Sequence, residues 1–381
     1  MVLKLLVASN VSEHRRLRIA QVSPLYEAVP PAGYGGTERV VSYLTEELVR
    51  RGHDVTLFAS GDSCTAAHLV APVQRALRLD PDCRDPLAHH VRMLSEVYRR
   101  ADEFDLIHCH TDYLGLPLAR AVHTPTLLTL HGRLDIPDLA PIYAAHREVP
   151  LISISDAQRR PLPDAAWMAT VHHGVPPQLY PFSATAGDYL LFLGRLSPEK
   201  CPDLAIRVAR RAGLRLRIAA KVDAVDRDYF RQRVEPLLDD PGVEFLGEVG
   251  GDDKAALIGG ALALLFPIDW PEPFGLVMIE ALACGTPVVT RPCGSVPEVI
   301  EDGVTGLIAD SEDELVAAVQ RVQALERGAC RAEFDRRFSD AAMCDRYLAI
   351  YERVLAGERA GLRTPARRRA VAPTPLADLS Q

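Results

Sequence analysis

Short apolar segments alternate with helical or polar segments along most of the chain, and this alternation limits the fold more than any other feature. Strands that alternate with helices build parallel sheets covered by helices, and such sheets bind ligands at the carboxyl ends of their strands. The sequence therefore predicts an α/β protein. The predicted strands of the first half cover residues 17–23, 55–59, 106–110, 126–130, 151–155 and 170–173, and those of the second half begin at Tyr189, Leu216, Val243, Ala263 and Val288.

Proline and glycine interrupt this alternation near the middle of the chain, where residues 174–187 show no hydrophobic periodicity. A chain of 381 residues with 48% hydrophobic content can form two domains of ordinary size, so we place the hinge in this segment. The predicted divisions are an N-terminal extension (1–16), a first domain (17–180), a second domain (181–330), terminal helices (331–356) and a disordered tail (357–381).

Two glutamates lie on either side of a Pro-Phe-Gly turn in the second half. Pro273 disfavours helical geometry for Glu272, while residues 274–283 carry a helix pattern, which places Glu280 about two turns inside that helix. At a rise of about 1.5 Å per residue, the two backbones lie on the order of 10 Å apart. The paired catalytic carboxyl groups of a glycosidase instead lie roughly 5–9.5 Å apart and point at one bond. The two acids fit a long ligand held between them, and a solvated cap residue plus an exposed helix residue is the alternative interpretation.

The same turn predicts an anion site. Free N–H groups of Phe274, Gly275 and Leu276 would point at the ligand from a helix N-terminus, and the glycine lets a phosphate approach the backbone. Carboxylates on both sides would accept hydrogen bonds from hydroxyl groups. A diphosphate with a sugar at each end has this pattern of polarity.

A strand predicted at residues 189–193 leads into a loop with two cations, Arg195 and Lys200. Lysine is rare in this chain, with four lysines among the 43 basic residues, so Lys200 stands out against an arginine-rich background. A planar guanidinium and a compact ammonium are complementary binders of phosphate. The loop is therefore a candidate phosphate site, and an ordinary charged surface loop is the alternative.

In combination, these motifs resemble the retaining nucleotide-sugar glycosyltransferases of family 4. The resemblance covers roughly residues 17–358, and its motifs occur in the family's order along the chain. The residues that carry it are Gly194-Arg195-Leu196, Glu199-Lys200, Glu272, Glu280, Gly285-Thr286-Pro287 and the run 294–306.

The resemblance implies a GT-B fold, in which two Rossmann-like parallel-sheet domains face each other across a cleft and a C-terminal helix crosses back to the N-terminal domain. It also implies transfer of a hexose from a nucleoside diphosphate sugar to a hydroxyl acceptor, with retention at the anomeric carbon and without a metal or other cofactor. UDP-glucose is the first expectation for the donor and GDP-mannose the second. The acceptor would be a small molecule, a glycan or a lipid-linked hydroxyl compound.

Individual residues acquire expected roles from the resemblance. Arg195 and Lys200 would neutralise the diphosphate, Glu272 would hold the donor hexose, and Glu280 would bind the ribose. His131, directly after a predicted strand, would be an orienting or transition-state contact near the acceptor. The implied catalytic set is His131, Glu272, Arg195 and Lys200. The implied donor-binding set is Gly35, Gly36, Arg195, Lys200, Val249, Glu272, Phe274, Gly275, Leu276 and Glu280, with Glu38 beside the paired glycines and Val249 in the base-binding loop.

One residue departs from the family pattern: Cys201 stands directly after the Glu-Lys pair, where glycine is usual. The change puts the path of the loop in doubt, while both cations remain. The eight cysteines form no C-x-x-C pair, and His108-Cys109-His110 is the only close cluster of metal-binding residue types. The first strand is followed by no G-x-G-x-x-G motif, which argues against an NAD-binding role.

Composition excludes some functions. A formal net charge of −8 argues against nucleic acid as a partner. No apolar run reaches the roughly 18 residues of a spanning helix, so at most peripheral membrane contact is expected. Scattered cysteines fit a reducing compartment and a cytoplasmic location. A sugar-nucleotide epimerase on the same scaffold and a non-catalytic sugar-nucleotide-binding protein remain alternatives to the transferase.

Overall fold

The computed structural model describes residues 15–33 and 35–357, which contain two parallel sheets of seven and six strands. The strands of the first sheet are β1 (Arg18–Val22), β2 (Asp54–Phe58), β3 (His68–Val70), β4 (Leu106–Cys109), β5 (Thr126–Thr129), β6 (Leu151–Ser153) and β7 (Trp167–Thr170). The strands of the second sheet are β8 (Tyr189–Arg195), β9 (Arg215–Lys221), β10 (Val243–Gly247), β11 (Ala263–Phe266), β12 (Val288–Thr290) and β13 (Gly306–Ile308).

Helices alternate with these strands along the described part of the chain. The helices are α1 (Gly36–Arg50), α2 (Pro86–Arg99), α3 (Leu116–Ala119), α4 (Leu139–Ala145), α5 (Asp156–Arg159), α6 (Pro202–Ala212), α7 (Arg227–Tyr229), α8 (Gly251–Gly259), α9 (Leu276–Ala283), α10 (Val296–Val299), α11 (Glu312–Arg321), α12 (Arg327–Arg337) and α13 (Asp340–Leu355).

The strand order shows where each sheet can bind a ligand, at the carboxyl ends of β1 and β8. The first sheet runs β3-β2-β1-β4-β5-β6-β7 and the second β10-β9-β8-β11-β12-β13, with adjacent strands parallel. The order reverses beside β1 and beside β8, and ligands of such sheets bind in the crevice at that reversal. The predicted fold class, two Rossmann-like parallel-sheet domains facing across a cleft, is confirmed.

A single apolar cluster extends through both halves of the molecule. It contains Ile19 of the first sheet, Leu191 of the second sheet, Phe274 of the loop before α9 and Tyr351 of α13, all at most 2% exposed. Burying a large apolar side chain contributes about 1.5–3 kcal/mol. Packing therefore joins the two sheets as well as stabilising each one.

The edges of the sheets differ from the sequence prediction. The strand predicted at residues 170–173 is wrong by three positions, because β7 pairs with β6 from Trp167 and the chain then leaves the sheet. Strands β3 and β13 were not predicted, since each has only three residues at a sheet edge. The first helix, predicted from Arg39, begins at Gly36.

The terminal helix α13 packs on the first sheet, as the resemblance implies. The backbone N–H of Val175 donates to the carbonyl oxygen of Phe338 at 2.9 Å, and α13 lies against α1. The hydroxyl of Tyr351 then reaches Nδ1 of His108 at 2.8 Å, below the first sheet's functional edge. Helix α13 therefore connects the end of the second half to the side chains behind the cleft.

The predicted domain boundaries stay predictions. Most of the predicted extension (1–16) and all but the first residue of the predicted disordered tail (357–381) lie outside the described residues.

Candidate active site

A cavity of about 590 Å³ lies between the carboxyl ends of the two sheets. Both halves contribute to its lining. The sequence-predicted site residues that line it are Gly35, Gly36, His131, Arg195, Lys200, Glu272, Phe274, Gly275 and Leu276, and Glu38 lines it as well.

Sheet pairing explains why the cation loop and the Glu272 loop meet. Strand β8 pairs with β11, so the loops that follow these strands lie side by side. The backbone N–H of Asp269 donates to the carbonyl oxygen of Glu199 at 2.9 Å and ties the loops together. Two segments about seventy residues apart in sequence therefore form one wall of the cavity.

Lys200 and Glu272 form a direct ion pair in this wall. The indole N–H of Trp270 also donates to the Glu272 carboxylate at 2.7 Å. The Lys200 ammonium lies 5.3 Å from the ring centroid of Phe266 and 5.4 Å from that of Trp270, within cation–π range. The aromatic rings hold the ammonium beside the carboxylate.

Arg195 lies among carboxylates. Its guanidinium is 2.6 Å from Glu199, 3.7 Å from Asp223 and 3.8 Å from Asp226. Burial raises the pKa of Asp226, and the nearby Arg195 opposes this rise. The Nε atom of Arg195 is buried without a hydrogen-bond partner in the described structure, which leaves a donor for an anionic group.

Helix α9 begins at Leu276, two residues later than predicted, and Gly275 is its N-cap with φ of 80°. A Cβ at Gly275 would lie 2.9 Å from Cε of Met278 and in a backbone region that L-residues avoid. The helix N-terminus therefore requires this glycine. The N–H groups of Gly275, Leu276 and Val277 donate to no acceptor within the described residues.

A second helix N-terminus faces the first across the cavity. Helix α1 begins at Gly36 with Gly35 as N-cap, and a Cβ at Gly36 would lie 3.7 Å from Cδ1 of Leu276. Unpaired N–H groups and the helix dipole favour negative charge at both helix starts. The paired glycines and the α9 turn therefore lie on two sides of one cavity.

Several residues outside the predicted catalytic and donor-binding sets support the Glu272 loop. A Cβ at Gly294 would lie 2.3 Å from the backbone N and O of Glu272, so the two backbones are in close contact. Ser295 donates through its backbone N–H to Glu272 at 3.0 Å, and through its hydroxyl to the carbonyl of Phe274 at 2.8 Å. From the first half, the Ser155 hydroxyl donates to the carbonyl of Pro273 at 2.6 Å.

Cys201 adopts the left-handed conformation, with φ of 52° and ψ of 50°, at the N-cap of α6. Glycine reaches this conformation without steric cost, which explains its usual presence at this position. The loop still places Arg195 and Lys200 at the cavity, so the substitution leaves both cations in position.

His131 belongs to a hydrogen-bonded row of side chains at the end of the first sheet. The Nε2 atom of His110 lies 2.9 Å from the Gln21 carboxamide oxygen, which only accepts, so His110 carries its proton there. Its Nδ1 then accepts from Nε2–H of His131 at 2.8 Å. This assignment leaves the other nitrogen of His131, Nδ1, as an acceptor without a partner among the described residues.

Burial keeps these imidazoles neutral. It lowers the pKa of His131 to about 3, because desolvation disfavours the charged ring. Burial, and secondly neighbouring imidazoles, also lower the pKa values of His110 and His173. The opposite occurs at Glu38, where burial raises the carboxyl pKa to about 7. These histidines therefore add no positive charge to the cavity near neutral pH.

Two predicted site residues are not brought to the cavity lining. Glu280 is 1% exposed and accepts hydrogen bonds from the Tyr180 hydroxyl at 2.7 Å and from the Lys254 ammonium at 2.8 Å. The alternative interpretation of Glu280 as an exposed helix residue is therefore wrong. Val249 is partly buried against the main apolar cluster. The ribose and base roles of these residues stay predictions.

Within residues 15–33 and 35–357, no group of three or more His, Cys, Asp or Glu side chains is arranged to hold a metal ion. A search of the same residues for a helix long and apolar enough to cross a membrane found none.

Two Rossmann-like sheets facing across such a cleft are the architecture of GT-B glycosyltransferases. The family model for Glycosyltransferase Family 4 matches residues 34–179, and the model for Glycosyl transferases group 1 matches residues 183–343. A D-inositol 3-phosphate glycosyltransferase of Saccharomonospora viridis is 30% identical over 415 residues, covering 91% of this chain and 95% of the relative. The chain therefore belongs to the group 1, family 4 glycosyltransferases and is a transferase enzyme.

Solved structures agree with this assignment. AviGT4, a glycosyltransferase involved in avilamycin A biosynthesis, is 25% identical with a TM-score of 0.70, covering 90% of this chain and 99% of that one. The sucrose-phosphate synthase of Thermosynechococcus elongatus is 20% identical with a TM-score of 0.72, covering 90% of this chain and 100% of that one. The second similarity concerns the fold alone.

Proposed function

We propose that this enzyme transfers a hexose from a nucleoside diphosphate sugar to a hydroxyl acceptor, with retention at the anomeric carbon and without a metal ion. The observation that carries the proposal is the convergence of two helix N-termini, the cations Arg195 and Lys200 and the Glu272 carboxylate on a single cavity. The family resemblance motivates retention, with UDP-glucose as the first candidate donor and GDP-mannose as the second. The scattered cysteines motivate a cytoplasmic location.

Charge stabilisation on the departing diphosphate is the main contribution that these residues offer. Arg195 and Lys200 would bind its oxygens, together with the N–H groups at the start of α9. Each cation is paired with a carboxylate, so the phosphate would exchange one anionic partner for another. Preorganised cations and N–H donors of this kind can replace a divalent ion at the leaving group.

Sugar orientation would fall to Glu272 and His131. The Glu272 carboxylate would accept hydrogen bonds from hexose hydroxyls beside the diphosphate, and neutral His131 would contact the sugar from the opposite side of the cleft. Glu280 would hold the ribose after a rearrangement of its contact with Lys254. The Glu272 carboxylate is already held by Lys200 and Trp270, and this supports attack on the same face assisted by the departing phosphate.

Donor identity is tested by thermal shift with UDP-glucose, GDP-mannose and ADP-glucose, each with and without a chelator. Stabilisation by UDP-glucose in the presence of chelator is the expected result. Product analysis then follows the anomeric configuration. Formation of a free isomerised sugar nucleotide without acceptor would identify an epimerase, and donor binding without turnover on any acceptor would identify a binding protein.

Replacement of Glu272 by Gln tests the role of its carboxylate. A hydrogen bond to a charged group contributes about 1.5–3 kcal/mol, so kcat/KM should fall about 10- to 100-fold. The melting temperature should change little, because Gln retains the shape of Glu. Glu352→Gln, an exposed position on α13, is the matched control. Unchanged turnover in the Glu272 variant would contradict the assignment.

A further inference from the structure

Part of the cavity lining comes from first-half residues that the proposed function does not use to bind the donor sugar nucleotide. Tyr26, Leu87 and Tyr113 line this part, and their side chains remain 40%, 50% and 38% exposed. Arg78 and Asp112 lie close to Tyr26 and line the cavity as well. Accessible aromatic and aliphatic side chains in a concave site are binding surfaces for an apolar face of a ligand.

The Tyr26 ring rests on a fixed support. Its centroid lies 4.8 Å from that of His90, which is 1% exposed. Nδ1 of His90 donates to the carbonyl of Pro86 at 2.7 Å, and Nε2 accepts from the backbone N–H of Leu25 at 2.9 Å. Both ring nitrogens of His90 are therefore hydrogen-bonded, and His90 holds the Tyr26 ring in place. A ligand ring that packs on Tyr26 would cost little additional side-chain entropy.

Both cationic side chains of this region form ion pairs with carboxylates. Arg78 pairs with Glu27 at 2.6 Å, and Arg133 pairs with Asp135 through two contacts of 2.7 and 2.8 Å. These are the cationic side chains that the described first half contributes to the cavity lining. A phosphate bound here would have to displace a carboxylate from an existing pair, as at Arg195 and Lys200, but without the N–H groups of α9 and the free Nε of Arg195 that the donor site adds.

Asp112 adds an acceptor of hydrogen bonds to the same surface. It adopts a left-handed conformation with φ of 48°, which is uncommon outside glycine and is frequent at ligand-binding positions. The Asp112 carboxyl lies close to the backbone N–H of His131, at the reacting end of the cleft, and burial raises its pKa to about 6. A carboxylate in this place accepts hydrogen bonds from hydroxyls and repels phosphate.

We propose that the acceptor is an uncharged hydroxylated ring without a phosphate group, packed by its apolar face against Tyr26 and Tyr113 with a hydroxyl at Asp112. This inference rests on the proposed transfer to a hydroxyl acceptor and narrows it. It sets this chain apart from its Saccharomonospora viridis relative, a D-inositol 3-phosphate glycosyltransferase, despite 30% identity. A sugar and a hydroxylated aromatic compound share the required chemistry.

The test offers matched neutral and phosphorylated acceptors with the donor selected by thermal shift. The acceptors are myo-inositol, inositol monophosphate, glucose, glucose monophosphate and hydroquinone, and glycosylated product is measured by mass spectrometry. Product on a neutral ring, with its phosphorylated counterpart at least about tenfold poorer in kcat/KM, is expected. Product on hydroquinone alone would show that the acceptor is a hydroxylated aromatic compound and not a sugar. Preference for a phosphorylated acceptor, or no transfer to any neutral ring, overturns the inference.

Variants separate ring packing from phosphate binding. Tyr113→Ala should raise the acceptor KM about tenfold, since an aromatic contact with its buried area is worth roughly 1.4 kcal/mol. Tyr113→Phe should restore the KM to within about twofold, because the ring is kept. Arg78→Gln tests the opposite model, in which the acceptor carries a phosphate that binds to Arg78. A larger loss of acceptor affinity in Arg78→Gln than in Tyr113→Ala contradicts the inference.

Failure of this inference and failure of the proposed function give different results. Donor stabilisation in the thermal shift and slow hydrolysis of the donor in water report the donor site without any acceptor. If both are absent, the proposed function fails. If both are present and transfer occurs only to phosphorylated acceptors, the proposed function stands and the neutral-ring inference fails.

Discussion

At the scale of single residues, the histidines behind the cleft set both the chemistry of His131 and the acid sensitivity of the fold. Burial lowers the pKa of His108 well below its usual value, as it does for His110 and His173. Gln21 then fixes which nitrogen of His110 carries the proton, and His110 does the same for His131. A neutral imidazole of defined tautomer contacts a ligand through one known atom.

These buried histidines predict that the enzyme loses stability in mild acid. Unfolded histidines titrate near a pKa of 6.5, whereas the folded ones do not, so the folded chain binds fewer protons below that pH. The stabilisation that depends on these histidines remaining neutral is fully present above about pH 6.5. Below that pH, the free energy of unfolding falls by up to about 1.4 kcal/mol per pH unit for each histidine. Glu38, with its pKa raised from 4.5 to about 7, and Asp112, with its pKa raised from 3.8 to about 6, oppose this trend.

The measurement is the free energy of unfolding in urea from about pH 7.5 to about pH 5.5. His173→Phe should reduce the slope of stability against pH, because one neutral buried histidine is removed. His123→Gln is the control, since that histidine is exposed and should leave the slope unchanged. A slope of the same size in His173→Phe and in the unaltered chain would contradict the explanation.

The sequence predicted the residues that line the cavity better than the residues that support them. Arg195, Lys200 and Glu272 belong to short local motifs, and the structure brings all three to the cavity. Ser155 supports a carbonyl 118 positions away, and such a contact has no local signature. The burial of Glu280 was also missed, because Lys254 lies on a neighbouring helix whose packing the sequence does not reveal.

At the scale of elements, the start of α9 depends on a close backbone contact with Gly294. A Cβ at this position would lie 2.3 Å from backbone atoms of Glu272, so Gly294→Ala must displace the loop. We expect a loss of about 1–3 kcal/mol in unfolding free energy, typical of strain at a tightly packed position. The kcat should fall as well, because Glu272 moves. Chemical denaturation and steady-state kinetics measure the two effects.

Gly303→Ala is the matched control for Gly294→Ala. Gly303 has φ of 79° and no atom within 4 Å of the position that a Cβ would occupy, whereas Gly294 has φ of 58° and a crowded position. Both variants carry the backbone strain of a left-handed alanine, and only Gly294→Ala adds the steric contact with the loop. An equal effect of the two variants on kcat would show that the contact is unimportant.

Central strands were predicted close to their observed positions, whereas three of the four edge strands were missed or shifted. Strands β4, β5 and β11 are fully buried, and buried strands of a parallel sheet appear in the sequence as continuous apolar runs. The residues of β7 are all partly exposed, and β3 has an exposed first residue, so their apolar signal is weak. Burial on both faces therefore made these central strands easy to predict, although the exposed edge strand β10 was also predicted correctly from Val243.

At the scale of the whole molecule, polar contacts align the two halves across the cleft. The Glu298 carboxylate of the second half accepts hydrogen bonds from the backbone N–H groups of Asp156 at 2.8 Å and Ala157 at 2.7 Å, at the start of α5. It also contacts Nε2 of His172 at 3.1 Å. Burial raises the pKa of this carboxyl, and these hydrogen bonds outweigh burial and lower it overall.

The presence of two facing sheets could be predicted from sequence, and their alignment could not. Alternating strands and helices indicate each sheet separately, and the Pro-rich stretch around residues 174–187 indicates a break between them. The contacts that align the halves join residues more than 100 positions apart, such as Glu298 with Asp156. Only the folded chain shows that the two carboxyl edges enclose one cavity.

Glu298→Ala should therefore separate donor binding from transfer. The variant leaves two N–H groups at α5 unpaired, which costs about 1–3 kcal/mol for the buried donor at Ala157, and it loosens the alignment of the halves. Donor affinity, measured by isothermal titration, should stay within about threefold because the donor residues lie largely in the second half, while kcat should fall about tenfold or more. Glu301→Ala, an exposed position three residues further along, is the control. A loss of donor affinity equal to the loss of kcat would place Glu298 in the donor site instead of between the halves.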